Sequence, residues 1–180
     1  MKRFHWVNLS NSLYVKYHDE EWGVPSYDDN HLFEMLILES FQAGLSWECI
    51  LNKREAFRKA YDNFDYKKIA LYDEKKREEL INNKDIVRNR LKINASIENA
   101  KVFIKIQEEF GSFSNYIWHF TNNNIVKNES NKILTSTPLS DKVSKDLIKR
   151  GMKFVGTTII YSYLQAIGII NDHEKECDFK

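Results

Sequence analysis

Apolar positions recur every three or four residues along most of this chain, with polar positions between them. That is the period of an α-helix, not the alternation of a strand. From residue 31 the run carries Leu32, Phe33, Met35, Leu36, Ile37 and Leu38, apolar nearly all round, which predicts a deeply buried helix. Asp29 and Asn30 stand where its cap belongs. Ser46 can cap a second helix bearing Trp47, Ile50, Leu51, Phe57 and Tyr61. Residues 66–72 and 74–81 read as short amphipathic helices. Ile86, Ile93, Ile97, Ala100 and Ile104 form one long stripe over 85–110, and 112–120 adds a short helix. The pattern lapses over 121–138, where Asn122, Asn123, Asn124, Asn128, Ser130 and Asn131 read as a polar loop. It resumes at Ser140 with Val143, Leu147 and Ile148, and a last helix over 157–167 follows a glycine-bounded turn. No strand pattern and no repeat stands out. With only 6 Gly and 2 Pro to break helices, the expected fold is all-α: about eight helices in two lobes, one domain over 1–180.

Composition narrows the classes. At 42% hydrophobic and 13% aromatic the chain can bury a core, which excludes a disordered protein. A net charge of +1 does not announce a nucleic-acid binder, so any DNA contact must come from a local patch. Two cysteines, Cys49 and Cys177, are too few for a disulfide framework and suit a reduced cytosol. The N-terminus shows no signal peptide, and no stretch approaches the roughly 18 apolar residues of a membrane span. A cytoplasmic monomer is expected.

Four features could carry chemistry. The turn from Arg150 through Gly151, Lys153 and Gly156 to Thr157 and Thr158 joins two helices. Its second helix would open on unpaired N–H groups, which bind phosphate well. Lys142, Lys145, Lys149, Arg150 and Lys153 outnumber Asp141 and Asp146 here. The pattern over about 140–168 reads as a helix–hairpin–helix, a grip on DNA backbone, or as an ordinary tight turn. Glu39 ends an apolar helix; it is either a pocket acid or a helix-end carboxylate facing water. Trp6, Tyr14, Tyr17, Trp22 and Trp47 supply flat rings that could sandwich a base or simply pack a core. His18, His173 and Cys177 are soft donors that could bind zinc and tie the termini together, although a fourth ligand is missing. His173 and Cys177, four apart, would share a helix face.

Together these segments resemble the DNA-3-methyladenine glycosylase I family, within the helix–hairpin–helix glycosylases. The resemblance rests on Tyr17-His18-Asp19-Glu20-Glu21-Trp22-Gly23-Val24-Pro25, on Leu38-Glu39 with Gln42-Ala43-Gly44-Leu45-Ser46-Trp47, and on Lys149-Arg150-Gly151 with Lys153-Phe154-Val155-Gly156-Thr157-Thr158 and Asn171-Asp172-His173. It covers about residues 6–177. It implies hydrolysis of the N-glycosidic bond of 3-methyladenine in double-stranded DNA, leaving an abasic site. Glu39, Tyr17 and Trp47 would be the catalytic group, with Trp6, Tyr14 and Trp22 completing the base pocket. Gln42, Gly44 and Leu45 would enter the DNA stack, and Gly151, Lys153, Gly156, Thr157 and Thr158 would hold phosphates.

The family's substrate is already cationic, so the base needs extraction and selection more than protonation. No lysine is placed as a Schiff-base former, so no lyase step is expected. The family's zinc set would fall on His18, His173 and Cys177, but Phe4 replaces the usual fourth cysteine. His5, next to it, could substitute. The rival class is a non-catalytic helix–hairpin–helix protein that only binds DNA.

Overall fold

The computed structural model describes residues 2–128, 133–173 and 177–179. Among these the fold is helical, as the periodicity predicts. Helix α1 (Ser12–Glu20) is capped by Asn11, whose side chain accepts from the amides of Leu13 and Tyr14. The hydrophobic pattern does not announce it, because its two buried residues are Tyr17 and His18. Helix α2 (Asp29–Gln42) starts before residue 31, with Asp28 as its cap. Asp29 points elsewhere: its carboxylate accepts from the amides of Phe113 at 2.9 Å and Ser114 at 2.8 Å. It thereby satisfies the first turn of another helix. Helix α3 (Trp47–Ala60) begins as expected, with Ser46 accepting from the Cys49 amide.

Helices α4 (Tyr66–Ile69) and α5 (Glu74–Asn82) follow. Helix α6 (Arg90–Phe110) starts five residues later than the stripe suggests, capped by Asn89. Ile86 is buried all the same, from the turn that precedes the helix. Helix α7 spans Phe113–His119. Helix α8 (Pro138–Lys149) opens on a reciprocal cap between Thr137 and Ser140, with Pro138 in the first position. Helix α9 spans Thr157–Ala166.

The expectation of no strand is corrected by a two-residue parallel pair, β1 (Val126–Lys127) with β2 (Ile170–Asn171). Two residues are too short to show alternation in a sequence. Of the polar loop, Ser130 and Asn131 lie outside the described residues, as does 174–176 between His173 and Cys177.

Helix α2 is the hub. Leu32, Phe33, Met35, Leu36, Ile37 and Leu38 are all fully buried, against α3, α6, α7 and α9. A helix so enclosed holds whatever side chain it carries at its end in a fixed place. Among the described residues no helix is long and apolar enough to cross a membrane.

Candidate active site

The end of α2 opens onto a cavity of about 250 Å³, lined by Trp6, Tyr14, Tyr17, Trp22, Glu39, Gln42 and Trp47 among others. Each part of the lining follows from helix geometry. On α1, Tyr14, Tyr17 and His18 share a face, being three and four residues apart. On α2, Glu39 and Gln42 do the same. Trp47 is the first residue of α3, aimed by the Ser46 cap. All six base-pocket residues expected from the sequence are thus brought together. The rings of Tyr17 and Trp47 lie 5.3 Å apart, those of Trp6 and Tyr14 5.2 Å, and those of Trp6 and Trp22 5.2 Å.

Glu39 does not face water; it is 3% exposed. Among the described residues no hydrogen-bond partner holds its carboxyl, and burial alone pushes its pKa up to about 8. A carboxyl without a counter-charge in a low-dielectric cavity stays protonated until a cation or a donor arrives. Burial, reinforced by Glu39, raises the Tyr17 phenol well above its ordinary range, so it remains an O–H donor. The Trp47 Nε1–H is buried and has no acceptor among the described residues. This part of the cavity therefore offers flat apolar faces, the Tyr17 and Trp47 donors and the Glu39 carboxyl. That set can hold a flat, cationic heterocycle.

Ser162 and Gln165 on α9 and Asp172 also line the cavity; the sequence placed Asp172 in a motif of the resemblance but gave these residues no role in the pocket. Tyr161 and Gln165 both donate to one Asp172 oxygen, the latter at 2.5 Å. The available signal was the polar pair Ser162 and Gln165, three apart in an otherwise apolar helix.

The loop after α2 is exposed at Gly44 and at Leu45, 38% exposed. Gln42 closes it, its Nε2 donating to the Leu45 carbonyl at 2.7 Å. The turn between α8 and α9 exposes Gly151, Lys153 and Gly156, and buries Met152 and Val155. Gly151 has φ +104, so glycine is required there; Gly156 has φ −60 and is not a conformational requirement. What Gly156 leaves is open space over the first turn of α9, which has no side-chain cap. Thr158 is exposed beside it, while the Thr157 hydroxyl lies 2.8 Å from that of Ser140 and ties α9 to α8. Arg150 departs from the expected basic patch. It is committed to Asp146 and Glu109, each at 2.6 Å, and lies over the Phe110 and Tyr116 rings.

The donor atoms of His18, His173 and Cys177 are buried and lie within 4.8 Å of one another. His18 Nδ1 faces Asp19 at 2.9 Å and His173 Nδ1 faces Asn171 at 2.9 Å. These contacts turn the Nε2 of His18 toward Cys177, whose sulfur lies 3.7 Å away, while the Phe4 N–H donates to that nitrogen at 3.4 Å; a polar partner on the outer nitrogen is the arrangement that orients metal-bound histidines. The Arg3 guanidinium, at 2.6 Å, holds Asp19 below the usual carboxylate range. The two nitrogens and one sulfur fit zinc. His5 does not replace the missing ligand: it stays exposed and outside the donor set, while Phe4 is buried with its ring against Trp22.

Comparison with known proteins agrees with this arrangement. A family model for methyladenine glycosylase matches residues 6–180. DNA-3-methyladenine glycosylase 1 of Escherichia coli (strain K12) is 44% identical over 98% of this chain and 96% of its own. A crystal structure of 3-methyladenine DNA glycosylase I superposes with TM-score 0.94 at 45% identity, over 98% of each chain. A variant of such an enzyme, solved in complex with 3-methyladenine, gives TM-score 0.90 at 36% identity, over 94% of this chain and 93% of that one. On the cavity, the carboxyl at its base and these matches, the chain belongs to the methyladenine glycosylase family.

Proposed function

We propose that this protein excises 3-methyladenine from double-stranded DNA, hydrolysing the N-glycosidic bond and leaving an abasic site without cutting the strand. The observation that carries this is Glu39: a buried carboxyl with no counter-charge, at the base of an aromatic cavity. A structure that only binds DNA through a hairpin has no use for such a costly residue. The cavity's volume, below the roughly 300–1,000 Å³ of sites for drug-sized ligands, is on the scale of one base.

In this reading the lesion leaves the stack at a cost of about a few kcal/mol, eased because damaged bases pair poorly. Trp47 and Tyr17 flank its ring. Glu39 releases its proton to water as the positive base enters, and the resulting carboxylate accepts from the exocyclic amino group and balances the charge. Methylation makes the base a good leaving group, so binding and orientation supply most of the catalysis, and water is the nucleophile. The loop at Gln42, Gly44 and Leu45 fills the gap in the duplex. The α8–α9 turn, through Gly151, Lys153, Gly156, Thr157 and Thr158, holds the phosphates as a helix–hairpin–helix. Zinc bound by His18, His173 and Cys177 is structural; it ties the N-terminal segment to the C-terminal one. The protein acts as a monomer, and its unpaired Cys49 and Cys177 suit the reduced cytoplasm.

The test is release of free 3-methyladenine from methylated duplex DNA. Wild-type protein releases the base, and Glu39→Gln does so at least about tenfold more slowly while still folded. Retained DNA binding with no base release from the wild type would favour the binding module. A borohydride-trapped covalent adduct would replace hydrolysis with a lyase mechanism.

A further inference from the structure

Helix α6 carries three buried polar side chains that the base pocket does not use, Lys92, Ser96 and Asn99, and the first and last of them reach loops outside the helix. Lys92 is 8% exposed and sits in the first turn. A cation there opposes the positive end of its own helix dipole. Its ammonium instead donates to the carbonyls of Phe41 at 2.9 Å and Ala43 at 2.6 Å. Those are the orphan acceptors at the C-terminus of α2, which has no basic residue in its own last turn. Lys92 therefore caps the end of α2 from outside, at the base of the loop carrying Gly44 and Leu45.

Asn99 is fully buried. Its amide oxygen accepts from the Lys153 N–H at 2.8 Å, and its amide nitrogen donates to the Lys153 carbonyl at 2.9 Å. This pair holds the α8–α9 turn where Phe154 takes the rare left-handed conformation, φ +55. Lys92 and Asn99 are seven residues apart. That is close to two helical turns, so both lie on one face of α6, about 10 Å apart along its axis.

We propose that this face of α6 sets the spacing between the two DNA-contacting loops, with Lys92 the positioning residue for the Gly44–Leu45 loop and Asn99 for the Lys153 turn. Neither side chain touches DNA. The claim rests on the DNA-face assignment made above. A wedge entering the stack and a grip on the backbone must be held in fixed register, because a duplex presents its gap and its phosphates at a fixed separation. A single helix with one polar hook for each loop provides that register.

The experiment compares two affinities in Lys92→Met, Lys92→Arg and Asn99→Leu. One is for a duplex holding an abasic-site analogue; the other is for free 3-methyladenine, read by tryptophan fluorescence. Lys92→Met and Asn99→Leu are expected to weaken duplex binding about tenfold, with free-base affinity within about twofold and kcat at saturating DNA less affected than KM. Lys92→Arg, which keeps the charge, restores most of the duplex affinity. Should Asn99→Leu fail to fold, the two Lys92 variants decide alone.

Unchanged duplex affinity in Lys92→Met overturns the proposal. So does an equal fall in both affinities, which marks general loosening. Leu45→Ala and Lys153→Glu run alongside. If they keep full affinity, the DNA-face assignment fails and the proposal with it. If they lose affinity while the α6 variants keep theirs, the positioning claim fails alone.

Discussion

Burying the Glu39 carboxyl sets folding against binding. In the unfolded chain a glutamate ionises near pH 4.3; in the folded protein Glu39 does so only near pH 8, pushed up by burial. Below the lower value both states are protonated and the burial carries no ionic cost. Between the two values the unfolded chain sheds a proton that the native state keeps, so stability falls as pH rises. Above about pH 8 the loss is complete. Glu39→Gln removes this dependence. The variant is expected to be more stable than wild type at pH 8, by on the order of a few kcal/mol, and nearly equal to it at pH 4.5. Urea unfolding of both proteins across that range measures it. Parallel pH profiles would mean that Glu39 is already ionised in the free protein.

Helices α8 and α9 make the next unit. Their turn has one obligate glycine, Gly151, held at φ +104, so Gly151→Ala is expected to cost about 1–3 kcal/mol of stability. Thermal unfolding checks this, and no change would mean that the turn relaxes freely. The side chains that face outward from the same turn are the ones proposed to meet DNA. Lys153 is exposed, and a phosphate contact carries no sequence information. Lys153→Glu is therefore expected to weaken binding alike on duplexes of any sequence and to reduce the salt slope by about one. Binding titrations at several salt concentrations read both. An effect confined to particular sequences would place Lys153 on a base edge instead.

Across the whole molecule the decisive contacts join distant parts of the chain. Gly168, at φ +76, follows α9 and lies directly on the N-terminal segment; a Cβ there would sit 2.3 Å from the backbone nitrogen of Pro25. Because the Val24–Pro25 peptide itself fills that space and φ is positive, Gly168→Ala is expected to destabilise by more than about 3 kcal/mol. A variant with near-normal Tm would show that the two segments separate easily. The proposed zinc acts on the same seam, since His18 and Cys177 stand 159 residues apart in sequence. Metal analysis of purified protein is expected to find about one zinc per chain. A strong chelator should lower Tm, and Cys177→Ser should abolish that response. A metal-free preparation with the same Tm would refute the seam.

The sequence by itself determined most of the helices, α1 excepted, and the start of α3, because periodicity and caps are local: Ser46 and the apolar run of α2 needed no partner to be read. It also held Tyr17, Trp22, Trp47 and Glu39 in recognisable motifs. What it left open was every choice that depends on a partner. Glu39 could face water or a cavity, and only the packing of α2 against four helices buries it. Asp29 looked like a cap for its own helix and serves another. Arg150 looked like part of a basic patch and is spent on Glu109 of α6. The polar wall of Ser162, Gln165 and Asp172, and the hooks Lys92 and Asn99, gained meaning only when the chain brought distant backbone within hydrogen-bond reach. Local propensity fixes an element from a dozen neighbouring residues. The environment of a charge is fixed by what the rest of the fold places around it.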